Sequence, residues 1–274
     1  MGTRTTVPAV RARKTAAGSP PLVMVTAYDA PGARVVDEAG VDVILVGDSL
    51  AMVVLGYDDT LQVTVQDMAH HTAAVARTSP RALVVADMPW LSYHLGPADT
   101  VGNGGTLVRA GAAGVKLEGG RIRVPMVEAL VAAQIPVVGH LGLTPQSVHV
   151  MGGFKVQARK AEAAAALVDD ALALVDAGVF ALVLEGVPAE VAAAVTEAVP
   201  VPTIGIGAGP HCDGQVLVLH DLLGLDGRDA PRFVRRYASL GDDAVRAVAA
   251  FAADVRSGAF PAEPETYHLS RDPG

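Results

Sequence analysis

The chain contains little cysteine, a deficit of basic residues and no long apolar stretch. Cys212 is the single cysteine, which excludes an intrachain disulfide and is compatible with a reducing, cytoplasmic compartment. The formal net charge of −8 argues against the basic surface that nucleic acids and anionic membranes attract. No apolar run reaches the ~18 residues of a membrane span. These absences favour small-molecule partners over nucleic acid or membrane.

The composition is that of a globular protein with a large core, since 51% of the residues are hydrophobic and 18% are charged. The N-terminal segment is rich in arginine but lacks an apolar centre, so a secretory signal is not expected. Thr6 is a plausible N-cap of a short helix with Pro8 in its first turn. A transit peptide is the weaker alternative.

Short apolar runs alternate with alanine-rich segments of helical period along the chain. The predicted strands span residues 22–28, 41–46, 82–86, 114–117, 136–139, 180–184, 201–206 and 215–219. The predicted helices span residues 31–39, 65–77, 106–110, 124–134, 161–177, 189–198 and 231–257, with Thr64 as the N-cap of the second.

Eight strands separated by helices match a (β/α)8 TIM-type barrel better than an open sheet. We therefore expect an N-terminal extension with a short helix over residues 1–20 and a single barrel domain with C-terminal helices over residues 21–274. Because all strands of such a barrel are parallel, residues at their C-terminal ends meet at one mouth. The polar residues predicted to converge there are Asp29, Asp48, Asp87, Glu118, His140 and Glu185.

So many carboxylates in one place repel one another unless a cation neutralises them. Oxygen ligands select a hard ion, so Asp48 and Asp87, with Glu118 as a third candidate ligand, predict a Mg²⁺ site, with Mn²⁺ as the second expectation. The alternative is that each carboxylate only caps a helix or forms a salt bridge.

Seven ordered stretches of the chain match a known family. They are TAYDA at 26–30, LVGDSL at 45–50, VADMP at 85–89, VKLEGG at 115–120, GHLGLTPQSV at 139–148, GGFKVQAR at 152–159 and GIGAG at 205–209. On these stretches the sequence resembles the ketopantoate hydroxymethyltransferase (3-methyl-2-oxobutanoate hydroxymethyltransferase) family, from about residue 7 to the C-terminus. Ala158 departs from the family, in which we expect glycine at this place.

The resemblance implies a Mg²⁺-dependent, aldol-type transfer of a hydroxymethyl group. The donor would be 5,10-methylenetetrahydrofolate and the acceptor 3-methyl-2-oxobutanoate, giving ketopantoate in pantothenate biosynthesis. The resemblance also implies a homo-oligomer, commonly a decamer in this family.

The resemblance also implies roles for individual residues. Asp48 and Asp87 would bind the metal and, through it, the substrate, with Glu118 close to the metal or its waters. Ser49 and Lys116 would contact the substrate. The remaining two roles fall to His140, near the new hydroxymethyl group, and Glu185, the catalytic base.

These roles make chemical sense for a 2-oxo acid. A cation held by Asp48 and Asp87 would polarise the ketone, which makes the C3 proton more acidic. Lys116 would add positive charge near the substrate carboxylate, and Glu185 would remove the C3 proton. Two alternatives for Lys116 remain open: a simple ion pair with Glu118, or a Schiff-base lysine as in class I aldolases.

Two other functions are compatible with the same residues. Another metal-dependent 2-oxo-acid aldolase or lyase is possible, although the KKCGH-like motif of isocitrate lyase-type enzymes is absent. A non-catalytic barrel that binds a 2-oxo acid would have no need for Glu185. GIGAG is a weak motif, and the loop that carries Lys155 and Arg159 is either a lid over the folate or merely structural.

Overall fold

Eight parallel strands form a closed barrel in the computed structural model, which describes residues 3–14, 18–227 and 230–269. Each strand pairs with the next along the chain, and the last pairs with the first. The strands are β1 Leu22–Thr26, β2 Val43–Val46, β3 Leu83–Asp87, β4 Gly114–Glu118, β5 Val137–Gly142, β6 Ala181–Glu185, β7 Thr203–Ile206 and β8 Gly214–Leu217. The predicted (β/α)8 barrel is therefore confirmed.

Between β1 and β7, helices alternate with the strands because each amphipathic segment there packs its apolar face on the barrel. The described helices are α1 Val7–Ala12, α2 Ala30–Glu38, α3 Leu50–Val53, α4 Val65–Ala76, α5 Pro97–Arg109, α6 Val124–Ala132, α7 Val148–Met151, α8 Ala161–Asp176, α9 Ala189–Ala198, α10 Leu219–Leu223 and α11 Leu240–Ser257. Short 3₁₀ turns occur at Arg121–Arg123, Pro145–Ser147 and Glu263–Glu265.

The helix predicted over residues 106–110 was too short, since α5 begins at Pro97. The three glycines of this segment disfavour a helix by propensity, which misled the sequence interpretation. Gly104 has a packing reason: a Cβ atom built on it would lie 2.7 Å from Cδ2 of Leu130 on α6. The close approach of the two helices therefore outweighs the poor helix propensity.

The short N-terminal helix was predicted correctly. The Thr6 hydroxyl accepts a hydrogen bond from the amide of Ala9 at 3.3 Å, and Pro8 lies in the first turn of α1. Val10 is buried in a core cluster with Leu22 and Leu83, at the beginnings of β1 and β3. The helix is therefore part of the barrel core.

The chain divides into two compact units. The first comprises Met1–Leu219 with Arg232–Val234 and contains the barrel; the second comprises His220–Pro231 with Arg235–Gly274 and contains α11. The predicted helix over residues 231–257 begins only at Leu240. Among the described residues, no helix is both long and apolar enough to cross a membrane.

A capping box at the start of α4 provides a test of local stability. The Thr64 hydroxyl accepts from the amide of Asp67 at 3.2 Å, and the Asp67 carboxylate accepts from the amide of Thr64 at 2.8 Å. The backbone hydrogen bond from Thr64 lowers the pKa of Asp67. We expect Thr64→Ala to lower the free energy of unfolding by about 1 kcal/mol at neutral pH, measured by urea denaturation.

The pH dependence of that effect follows from the lowered pKa. The ionised Asp67 stabilises the fold above its unfolded-state pKa, and this contribution is lost as the pH falls through its folded-state pKa. The difference between wild type and Thr64→Ala should therefore shrink in acid. A difference that grows with falling pH would contradict the capping model.

Candidate active site

Six polar side chains meet inside the C-terminal mouth of the barrel. Five lie on or directly after strands β2 to β5 and are at most 5% exposed, whereas the side chain of Glu185, at the end of β6, is 16% exposed. The six are Asp48, Asp87, Lys116, Glu118, His140 and Glu185. Five of them, all but Lys116, belong to the six whose convergence was predicted from strand register, and the structure brings these five together.

Asp87 is the centre of the first half of the site. Its Oδ2 accepts a hydrogen bond from the amide of Asp48 at 3.0 Å, and its Oδ1 lies 3.1 Å from Nζ of Lys116. Lys116 thus forms an ion pair with Asp87. The sequence had left open an ion pair between Lys116 and Glu118 instead. Lys116 and Glu118 nevertheless point to the same interior face, as residues two apart on a strand should.

His140 is the centre of the second half. Its Nε2 lies 3.2 Å from Oε2 of Glu185, and its Nδ1 lies 3.4 Å from Oε1 of Glu118 and 3.2 Å from Nζ of Lys116. Burial and the charge of Lys116 disfavour the imidazolium, but the close carboxylates of Glu118 and Glu185 raise the pKa of His140 to about 9. His140 can therefore hold a proton beside Glu185.

The charges of the site are unbalanced. Burial raises the pKa of Asp48 well above its ordinary value, and the neighbouring charges of Asp87 and Glu118 add to the effect. Burial also raises the pKa of Asp87, although Lys116 opposes the shift. With all four carboxylates of the site ionised, they outnumber the two cationic groups, Lys116 and His140, so the site has excess negative charge.

The residues fit a divalent cation with hard oxygen ligands. Asp87 Oδ1 is buried without a hydrogen bond of acceptable geometry, despite its ion pair with Lys116. No group of three or more His, Cys, Asp or Glu side chains in the described ranges is arranged as a complete metal site. Two aspartates are enough for Mg²⁺, which usually keeps several waters and takes further oxygens from its substrate.

Lys116 is held as an ammonium group. Burial alone would lower its pKa, but the charges on Asp87, Glu118 and Asp48 raise the pKa above its ordinary value. A Schiff-base lysine needs the opposite shift, because only the neutral amine attacks a carbonyl. The environment of Lys116 therefore favours binding of an anionic group over covalent catalysis.

Ser49 begins the turn after Asp48 and is partly accessible from the barrel mouth. Its hydroxyl lies 2.9 Å from the hydroxyl of Tyr28. A Cβ atom built on Gly47 would lie 2.8 Å from Oγ of Ser49 and 3.5 Å from Oδ2 of Asp87. The glycine therefore lets Ser49 sit next to the aspartates.

Asp29 does not join this cluster, contrary to the prediction. It is exposed, and its Oδ1 accepts from the amide of Gly32 at 2.7 Å as the N-cap of α2. The cap forms because α2 begins directly after Asp29, so its carboxylate turns back to the helix. Of the six predicted strand-end residues, this one has the capping role that the sequence analysis kept as an alternative.

Two site residues were given no role by the sequence analysis. Gln146 lies in the turn after β5. Its side chain donates from Nε2 to Oδ2 of Asp48 at 2.8 Å, and its backbone amide donates to Oε2 of Glu118 at 3.0 Å. The buried hydroxyl of Tyr93 donates to Oε1 of Gln146. The available signal for Gln146 was its place four residues after the end of β5 at Gly142, whereas Tyr93 had none.

The loop between α7 and α8 contains a non-glycine residue with a positive φ. Ala158 has a φ of 53°, in the left-handed region that favours glycine. Its neighbour Gln157 donates from its amide to the carbonyl of Gly186 at 2.8 Å, directly after Glu185. The alanine is therefore held in an unfavourable conformation beside the site.

We expect Ala158→Gly to raise the free energy of unfolding, by at most about 1 kcal/mol, because relief of the left-handed strain exceeds the extra entropy of the unfolded chain. Urea denaturation would measure this change. Ala166→Gly in the exposed interior of α8 is the control and should lower stability by about 1 kcal/mol. Equal losses in both variants would contradict the strain.

Comparison with known proteins identifies the family of this chain. The family model for ketopantoate hydroxymethyltransferase matches residues 4–263. The chain belongs to the ketopantoate hydroxymethyltransferase family. It is an enzyme, and the stretches that carried the resemblance are the ones that build the barrel mouth.

Curated ketopantoate hydroxymethyltransferases are similar over nearly the whole chain. The 3-methyl-2-oxobutanoate hydroxymethyltransferase of Methylobacterium sp. (strain 4-46) is 62% identical over 249 residues, 90% of this chain and 86% of that protein. The 3-methyl-2-oxobutanoate hydroxymethyltransferase 2 of Bradyrhizobium diazoefficiens is 56% identical over 266 residues, 97% of this chain and 90% of that protein.

A solved structure supports the fold of the ketopantoate hydroxymethyltransferase chain. The crystal structure of 2,3-dimethylmalate lyase, a PEP mutase/isocitrate lyase superfamily member, has a TM-score of 0.61. The match covers 97% of this chain and 89% of the lyase chain, at 19% sequence identity. At that identity the likeness concerns the barrel alone.

Proposed function

We propose that this enzyme transfers a hydroxymethyl group from 5,10-methylenetetrahydrofolate to carbon 3 of 3-methyl-2-oxobutanoate, giving ketopantoate for pantothenate biosynthesis, with Mg²⁺ at the site. The single observation that carries the proposal is that a buried aspartate pair and the contact of Glu185 with His140 share one barrel mouth in a member of this family. A 2-oxo acid in this mouth would have a cation site on one side and a base on the other.

Asp48 and Asp87 would hold the cation, and Glu118 would lie close to the cation or to its waters. When bound, Mg²⁺ or Mn²⁺ supplies Lewis acidity toward the keto and carboxylate oxygens of the substrate. Lys116, whose ammonium is fixed by Asp87, adds positive charge for the substrate carboxylate. Ser49 orients the substrate from the partly accessible edge.

Glu185 would take the C3 proton. It is the least buried of the six residues, so a substrate can approach it from the mouth. His140 contacts Oε2 of Glu185 through Nε2 and so fixes the orientation of the carboxylate. The methylene carbon of the donor would form a bond to C3, and water would then replace the folate nitrogen on that carbon, so that tetrahydrofolate leaves. His140 would lie near the new hydroxyl group and stabilise it by a hydrogen bond.

The decisive assay is formation of ketopantoate from the two substrates, followed with purified protein. We expect turnover to stop after exhaustive EDTA treatment and to return with Mg²⁺, because the aspartate pair alone leaves the ketone unpolarised. A second assay omits the folate and follows exchange of the C3 proton in D₂O by NMR.

The two assays separate the candidate functions. Activity that survives exhaustive EDTA would overturn the metal-dependent mechanism. Metal-dependent exchange without ketopantoate formation would show that the enolate forms but reacts with a different partner, as in another 2-oxo-acid aldolase. Binding of 3-methyl-2-oxobutanoate with neither exchange nor product would make the protein a non-catalytic binder.

A further inference from the structure

Gln146 connects the two halves of the site. Its side-chain amide donates to Oδ2 of Asp48 at 2.8 Å and to the carbonyl of Met88, directly after β3, at 3.0 Å. Its backbone amide donates to Oε2 of Glu118 at 3.0 Å. One residue of the β5 loop therefore contacts groups that follow β2 and β3 and a carboxylate on β4.

The orientation of this amide is determined by its partners. Two acceptors, the Asp48 carboxylate and the Met88 carbonyl, face Nε2, so the reversed amide would place an oxygen against both. The hydroxyl of Tyr93 faces Oε1 and donates to it. Tyr93 in turn accepts from the amide of Glu118 at 3.3 Å. Every polar group of the Gln146 side chain is thus paired.

Glu118 is held on both of its oxygens. Oε2 accepts from Gln146, and Oε1 faces Nδ1 of His140 at 3.4 Å. Oδ2 of Asp48 accepts from Gln146, whereas Lys116 pairs with Asp87. Contacts therefore run from Asp48 through Gln146 and Glu118 to His140.

We propose that Gln146, held in place by Tyr93, is a positioning residue that sets the carboxylate of Asp48 for the cation and keeps Glu118 against His140. This inference rests on the proposed function, because it concerns how that site is ordered. Neither residue touches the reacting atoms. Their effect passes through Asp48 on one side and through Glu118 on the other.

The test compares wild type, Gln146→Met and Tyr93→Phe. We expect Gln146→Met to weaken Mn²⁺ binding by about 10–100-fold, the usual cost of losing an outer-shell partner of a metal ligand. Binding is measured by electron paramagnetic resonance without substrates, so this readout does not depend on turnover. We also expect kcat to fall more than KM rises, since a misplaced ligand weakens the transition state.

Tyr93→Phe should shift Mn²⁺ affinity in the same direction by a smaller factor. Because Tyr93 acts partly through Gln146, the double variant should lose less affinity than the product of the two single losses. A loss of Mn²⁺ affinity in the double variant that equals the product of the two single losses would overturn the coupling between Tyr93 and Gln146.

The control is Gln215→Met, which also removes a side-chain amide that donates to a backbone carbonyl, that of Gly209 at 3.0 Å. It should retain wild-type Mn²⁺ affinity. A merely structural role of Gln146 would lower the melting temperature but leave Mn²⁺ affinity and kcat of the folded protein unchanged, and this result would overturn the proposal. If wild type itself neither bound Mn²⁺ nor exchanged the C3 proton, the proposed function would fail instead.

Discussion

Exchange of the C3 proton of 3-methyl-2-oxobutanoate should slow by about 10²–10⁴-fold when Glu185 is replaced by glutamine, because general-base catalysis contributes a factor of this size. The amide keeps the shape of the side chain at the end of β6 and its contact with Nε2 of His140. It cannot accept the proton. NMR in D₂O measures the exchange directly, without the folate donor.

The matched control for Glu185→Gln is Glu190→Gln. Glu190 lies exposed in the first turn of α9, and its replacement should leave exchange unchanged. Mn²⁺ affinity should be unchanged in both variants, since Glu185 is not among the expected metal ligands. Exchange within threefold of wild type in Glu185→Gln, an operational limit of about 0.7 kcal/mol in the barrier, would remove Glu185 from the mechanism.

Asp48→Asn should separate activity from stability. Loss of a metal ligand should lower turnover by at least about 100-fold, since even outer-shell partners of metal ligands cost about 10–100-fold. In the metal-free protein the same change removes one of three buried carboxylates that repel one another. We therefore expect a higher melting temperature without metal, together with nearly lost activity.

The control for this variant is Asp29→Asn at the same mouth. Asparagine caps a helix as well as aspartate does, and Asp29 only caps α2, so activity and stability should both stay close to wild type. Calorimetry in EDTA and the ketopantoate assay give the two readouts. Normal turnover in Asp48→Asn would contradict the assignment of the whole barrel mouth.

The fold could be predicted because a parallel barrel has a strong pattern in the sequence. Each strand is a short buried run such as Val43–Val46, and each is followed by a helix. The strand order then requires little further information, since neighbours in sequence are neighbours in the barrel. Strand register alone placed Asp87 and His140 at the same mouth.

The parts that could not be predicted depend on packing and on loop paths. The start of α5 depends on the contact of Gly104 with Leu130, which no local pattern encodes. Asp29 and Asp48 look alike in sequence, but a helix begins directly after the first and its carboxylate turns away. Gln146 reaches Asp48 across 98 positions of sequence, through a turn whose path follows from tertiary structure.

The pairing of β4 with β5 joins the two halves of the site. The pairing of these strands brings Glu118 opposite His140. All the residues expected to hold the cation and the substrate carboxylate precede β5, and the base, His140 and Gln146 lie on or after it. A chain cut between the two strands would yield two half-barrels, one carrying the anion-rich part and one carrying the proton acceptor. Neither fragment alone should therefore be active, because each lacks groups that the proposed reaction needs.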